Sequence, residues 1–226
     1  MARLTSMLRK VTAEFLGTGL LVSTVVGSGT MAQNLTHDVG IQLLINTVAT
    51  VLVLGLLIEL FAPISGSHFN PVVTVIFALR REIAPVTALG YIAAQFLGGL
   101  FGAILANLMF QKPAIFLSQH VRTGTHLYIG EVVATAGLVW VIFQAIAIGK
   151  SNIIPILVPA WIGAAYFFTS STSFANPAVT FARGFSNTFS GIAVSSVPGF
   201  VVAQIIGGII GFGFVAFLSA EKNGSK

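Results

Sequence analysis

Two Asn-Pro tripeptides, Asn70-Pro71-Val72 and Asn176-Pro177-Ala178, stand in strongly apolar surroundings, and each opens a run of only ten residues before a charge or turn cluster. At ~1.5 Å rise per residue, such a run makes a helix about 15 Å long. The hydrocarbon core of a bilayer is ~30 Å thick, so each run covers half of it. Pro71 and Pro177 suit a first helical turn, where a missing N–H costs nothing, and leave Asn70 and Asn176 as caps. Two half-helices entering from opposite faces would meet near the midplane. Their lead-ins, Ser65 to His68 and Thr169 to Ala175, must then line a cavity, because irregular backbone survives at that depth only when shielded from lipid. The pairing points to a pore.

Composition places the chain in a membrane. It is 55% apolar and 8% charged, with a mean hydropathy of +0.95, far from the balance of a soluble domain. Apolar runs near residues 10–33, 40–62, 86–110, 125–148, 152–170 and 193–219 give six spans. The first follows Arg9 and Lys10 directly, retains Glu14 and precedes five more, which is not the pattern of a cleaved signal peptide. With six spans, Arg3, Arg9, Lys10, Arg80, Arg81, Lys150, Lys222 and Lys226 share one side, and Lys112, Arg122 and Arg183 the other. The positive-inside rule then predicts a multi-pass protein of the cell membrane with both termini cytoplasmic. The net charge of +5 is a topology signal, and no nucleic-acid partner is expected. Cysteine is absent, which excludes disulfides, thiolate metal sites and thiol nucleophiles. Four histidines without ligand spacing and scattered carboxylates offer no metal site, cofactor or acid–base pair, so no enzyme is predicted.

The chain repeats itself. Gly90 to Gly102 aligns without gaps on Gly199 to Gly211, with Gln95 on Gln204 and Gly98 and Gly102 on Gly207 and Gly211. Glu14 to Thr18 likewise matches Glu131 to Thr135. With three spans per repeat, the halves must have opposite membrane orientation. The expected fold is all-α: six transmembrane helices and two re-entrant half-helices in inverted repeats, 1–115 and 116–226, joined across the polar stretch from Gln111 to Thr125. The paired glycines form small-xxx-small patterns that let helices approach closely.

Six spans, inverted repeats, Ser65 to Val72, Asn176 to Ala178, and Glu14 and Glu131 in the leading spans together resemble the major intrinsic proteins, the aquaporins and aquaglyceroporins. The resemblance covers nearly the whole chain. It implies a homotetramer in the lipid bilayer with one pore per subunit, passively conducting small neutral solutes. It also implies that Glu14 and Glu131 accept hydrogen bonds from the re-entrant loops, turning the carbonyls of Gly66, Ser67, His68 and Phe69, and of Thr172, Ser173, Phe174 and Ala175, toward the permeation path. Independently of family, the Asn70 and Asn176 amides offer donors and an acceptor to a passing hydroxyl. Two helix N-termini facing the midplane raise the barrier to cations and protons there.

Members of this family normally carry arginine three residues after the second motif's asparagine; here that position is Val179. Counting by the family's spacing puts the other filter positions at Thr50, Ala164 and Ser173. A ring of Thr50, Ala164, Ser173 and Val179 is small and weakly polar, so it is predicted to be wide and to admit bulkier neutral solutes. Such an opened filter resembles the arsenic-resistance-associated bacterial aquaglyceroporins, which implies glycerol-type solutes and neutral trivalent arsenicals. Arg183 lies four residues beyond Val179 on nearly the same helix face, ~6 Å toward the outer mouth. Two readings stand: a vestibule cation, the favoured one, or a side chain curling back to restore filter charge. Val72 either packs behind its half-helix or narrows the pore. His68 reads as a loop anchor, and Glu59 as an inner-vestibule carboxylate. The main rival function is an ion-coupled secondary transporter, which inverted repeats also build; a structural or adhesive role would carry no flux.

Overall fold

The computed structural model of the chain describes residues 2–220, with side chains from Thr5 to Leu218. Lys222 and Lys226 lie outside the described residues, as does the side chain of Arg3. The order long, long, short, long occurs twice: α1 (Ala2–Leu35), α2 (Val39–Ser65), α3 (Pro71–Leu79) and α4 (Pro85–Met109), then α5 (Thr125–Ala147), α6 (Ile154–Phe168), α7 (Pro177–Arg183) and α8 (Val197–Ala220). Six helices are long and apolar enough to cross a membrane, Thr5–Leu35, Val39–Ser65, Pro85–Met109, Thr125–Ala147, Ser151–Phe168 and Val194–Leu218. This is an all-α membrane fold. With six spans, the start of α1 and the end of α8 fall on one side of it, here the near side.

The spans pack by backbone approach. A Cβ added to Gly98 would sit 2.2 Å from the Phe15 carbonyl oxygen, and one on Gly102 would sit 2.1 Å from that of Gly19. Gly207 and Gly211 meet the Val132 and Ala136 carbonyls in the same manner, at 2.5 and 2.2 Å. Since lipid tails are as apolar as the side chains, such close packing, rather than the hydrophobic effect, holds α1 on α4 and α5 on α8.

The half-helices are shorter than the ten-residue runs expected. α3 has nine residues and α7 only seven, about 13 and 10 Å at ~1.5 Å per residue, because Gly184 caps α7 directly after Arg183. Each is capped as its sequence predicts: Asn70 Oδ1 accepts from Val72 N at 3.0 Å, and Asn176 Oδ1 from Ala178 N and Val179 N at 3.0 and 3.2 Å.

Val72 sits behind its half-helix. It is buried and fits a notch at Gly208 of α8, where an added Cβ would lie 2.4 Å from its Cγ1. The equivalent notch at Gly99 receives Ala182 and the Ala178 carbonyl. Gly208→Ala is therefore expected to destabilise the protein by about 1–3 kcal/mol through overpacking. Adding Val72→Ala should return most of that loss, so thermal unfolding of the single and double variants in detergent reads a strongly non-additive pair.

Candidate functional site

A cavity of about 380 Å³ extends from Glu59, Ser151 and Asn152 on the near side, past Asn70 and Asn176, to the buried Arg183. Leu21, Leu54, Ile58, Leu138, Ile142 and Val158 make its apolar wall. Residues of the two re-entrant loops, Gly66 to Asn70 and Ser173 to Asn176, also line the cavity.

Those loops meet head to head. Asn70 Nδ2 donates to the Ala175 carbonyl at 2.8 Å, and Asn176 Nδ2 donates to the Phe69 carbonyl at 2.7 Å. With each Oδ1 spent on its cap and one amide hydrogen on the crossed bond, each asparagine keeps one N–H for the cavity. That is narrower than the donors-and-acceptor set the bare sequence suggests.

Two carboxylates orient the backbone. Glu14 Oε1 accepts from His68 N at 2.9 Å and Oε2 from Phe69 N at 2.7 Å. Glu131 Oε1 and Oε2 accept from Phe174 N and Ala175 N, both at 2.9 Å. Among the described residues no peptide bond is cis, so the carbonyl sharing each peptide unit points the opposite way from its N–H. The Ser67, His68, Ser173 and Phe174 carbonyls are thereby turned away from the carboxylates, and all four residues line the cavity. The Ser65 and Ser171 hydroxyls, accepting from Ser67 N and Ser173 N at 3.1 and 3.3 Å, do the same for Gly66 and Thr172. Thr172 itself does not line the cavity. The Phe69 and Ala175 carbonyls serve the crossed junction, so two of the eight expected oxygens already hold a donor.

Such turned peptides need unusual backbone. Gly66, Ser67 and Phe69 have φ of 90°, 52° and 47°, and Thr172, Ser173 and Ala175 have 62°, 52° and 48°. A non-glycine residue there costs roughly 1–2 kcal/mol, a strain held by the carboxylate bonds. Gln95 and Gln204 complete both braces. Their Nε2 groups donate to Glu14 at 2.8 Å and to Glu131 at 2.6 Å, and to Thr74 and Thr180 at 2.9 and 2.8 Å. Their identity across the repeats was the available signal; their partners were not readable from it.

At the level of the proposed filter, Thr50, Ser173 and Val179 line the cavity, and Ala164 does not. Ala164 is exposed, half a turn around α6 from the cavity-lining Ile162 and Tyr166. Counting back from Asn176 crosses an irregular segment, and the face that α6 presents is fixed by its own 3.6-residue period instead. Tyr166 fills the place: it is buried, and its hydroxyl lies 3.5 Å from Thr50 Oγ1. The Ser173 hydroxyl is buried without a protein partner.

Arg183 does not stand in an open mouth. It is 3% exposed, its Nε donates to the Ser190 carbonyl, and its guanidinium carbon lies 3.3 Å from the ring centroid of Phe174, the neighbour of Ser173. The cause is local: the short α7 aims this side chain back along the loop that Phe174 occupies. On the far-side loop, His120 has its pKa lowered, chiefly by burial and then by Arg122 and Arg183. His68 is anchored by its N–H to Glu14, its Nδ1 lying 3.1 Å from Thr74 Oγ1. Glu59 is exposed on the cavity's near-side wall, with no ion-pair partner among the described residues.

Residues 1–173 match the family model described as Major intrinsic protein. The chain is 46% identical over 210 residues to Aquaglyceroporin AqpS of Rhizobium meliloti (strain 1021), covering 93% of this chain and 90% of that one. It is 31% identical to Aquaporin Z of Photorhabdus laumondii, over 96% of this chain and all of the relative. Among solved structures, the aquaglyceroporin from Plasmodium falciparum superposes with a TM-score of 0.64 at 19% identity, covering 95% of this chain and 96% of that one.

Proposed function

The chain belongs to the major intrinsic protein family, whose members are passive channels for small solutes and not enzymes, and from this we propose that it conducts uncharged solutes larger than water through a neck that lacks the family's arginine. Glycerol-type polyols and neutral trivalent arsenicals are the proposed solutes, with some water. The observation that carries the reading is Val179: the third residue of α7 faces the cavity with an isopropyl group, beside Ser173 and the Thr50–Tyr166 pair. None of these four side chains is charged. Tyr166 makes this ring bulkier on one side than Ala164 would, but Val179 puts an isopropyl group where the family's longer, charged arginine would stand, which leaves room there for a neutral solute larger than water. The 46% identical relative is an aquaglyceroporin, in keeping with a wide neck. The arsenical reading rests on the likeness of the opened ring to the arsenic-resistance-associated bacterial members.

At the midplane, the one cavity-facing N–H of Asn70 and that of Asn176 would hold a single solute oxygen between them. The carbonyls of Gly66, Ser67, His68, Ser173 and Phe174 would take the solute's hydroxyl hydrogens on either side. We read residues 1–115 and 116–226 as inverted repeats, and the assembly as a homotetramer in the cell membrane with both termini cytoplasmic, following the Lys and Arg bias.

Stopped-flow light scattering on reconstituted vesicles tests this with water, glycerol, urea and neutral arsenite. Glycerol and arsenite should equilibrate well above the rate of empty vesicles. Flux of water alone would contradict the wide neck. Accumulation of solute against its gradient when a proton gradient is imposed would replace the channel with a coupled carrier, and absence of all flux would leave a structural role.

A further inference from the structure

The two re-entrant loops hold a flat group at matching places. Two residues before Asn70, His68 stacks on Phe77, seven residues after it, with ring centroids 4.4 Å apart and planes 19° apart. Two residues before Asn176, Phe174 stacks on Arg183, again seven after, at 3.3 Å. The fold thus uses one seat twice, filling it on the near side with a neutral aromatic pair and on the far side with a guanidinium.

The charge in that seat is not neutralised by an ion pair. Among the described residues the only salt bridge joins Arg80 and Glu82. The Glu131 carboxylate, which feels Arg183 electrostatically, is already engaged by Phe174 N, Ala175 N, Gln204 and Ser171. A second cation lies over the same ring: the Arg122 guanidinium is 5.2 Å from the Phe174 centroid, tied by Nε to the Gly191 carbonyl at 2.9 Å and by a terminal nitrogen to the Phe189 carbonyl at 3.2 Å. Arg183 lines the cavity and Arg122 does not. Among the described residues the Arg183 side chain finds an acceptor only for its Nε, which leaves the N–H groups of its terminal nitrogens for whatever passes.

Building on the channel reading, we propose that Arg183 is a specificity-determining residue of the pore, a guanidinium set one helical turn beyond the uncharged neck, where it bars inorganic cations and donates to the hydroxyl oxygens of neutral solutes. Phe174 and the Ser190 carbonyl are its positioning groups. This arrangement separates two properties that a charged neck combines: width is set at Val179 and charge selection at Arg183. A planar fork suits a polyhydroxylated solute, because it presents two parallel donors where an ammonium presents a point charge.

The test compares wild type, Arg183→Gln and Arg183→Lys in vesicles, measuring potassium leak, the glycerol-to-water permeability ratio and thermal unfolding. The glutamine variant should leak potassium about tenfold or more above wild type while still conducting glycerol. The lysine variant should remain tight to potassium and change the glycerol-to-water ratio about twofold or more, since the charge remains but the fork is lost. A folded glutamine variant with no added leak overturns the proposal. So does parallel loss of stability and flux in both variants at an unchanged ratio, the signature of a packing role. Should the glutamine variant not fold, the lysine variant decides: an unchanged ratio overturns the proposal. If wild type itself carries no glycerol, the channel reading fails instead, and that outcome is visible before any variant is made.

Discussion

Val179→Arg should reduce glycerol permeability about tenfold or more, equivalent to about 1.4 kcal/mol of added barrier per tenfold, while water permeability falls by a smaller factor. Val179 is the third residue of α7, and its side chain enters the cavity beside Ser173, Tyr166 and Thr50. Arginine there replaces three carbon atoms by a long chain with a planar head, directly in the neck. Glycerol must then pass a narrower ring and shed hydration that the ring does not replace in full, whereas water fits and can bond the new donors. A third cation, one turn from Arg183 and added to Arg122, also brings like-charge repulsion, which the π face of Phe174 offsets only in part. Stopped-flow ratios of glycerol to water measure the effect. An equal decline for both solutes would place the neck elsewhere.

Glu14→Ala should produce the largest loss of stability. Its carboxylate accepts from His68 N, Phe69 N, Ser65 Oγ at 2.7 Å and Gln95 Nε2, all buried. Alanine leaves two backbone N–H groups with no acceptor in a region closed to water, at roughly 1–3 kcal/mol each. It also releases the strained Ser67 and Phe69 backbone from the bonds that hold it. The expected result is failure to recover folded protein, or a thermal midpoint lowered by about 5 °C or more, with solute flux lost. Glu14→Gln retains an acceptor oxygen and should fall between alanine and wild type. An alanine variant as stable and conductive as wild type would mean that the loop is held by packing alone.

The six spans, the two asparagine caps and the presence of glutamates within the spans could all be read from the chain, because each rests on a strong local rule: apolar length, Pro at the first helical turn, or the cost of a carboxylate in lipid. That Glu14 and Glu131 brace the loops was implied by the family resemblance. Gln95 and Gln204 showed their importance only as a repeated identity. Gln95 bridges acceptors on α1 and α3, and Gln204 bridges acceptors on α5 and α7, and no sequence spacing sets those distances. Ala164 was misplaced because the count ran through the non-helical residues 169–175, whose path is decided by Glu131 and not by length. Arg183 was harder still. Its seat is the counterpart of Phe77, and since histidine on phenylalanine became phenylalanine on arginine, the residue types conceal the correspondence. Val72 resolved only when Gly208, 136 positions away, was seen to make room for it.

The crossed asparagine bonds have a consequence for how the protein is made. They join residues 105 and 107 positions apart, so when the first re-entrant loop emerges, the acceptor for Asn70 does not yet exist. At ~5–20 residues per second of synthesis, that loop waits about 5–20 seconds for its counterpart, with a polar amide and a carbonyl unpaired inside the bilayer. The carboxylate of Glu14, made earlier still, is already there to receive the loop's N–H groups. It acts in that interval as a built-in chaperone for a half-finished passage.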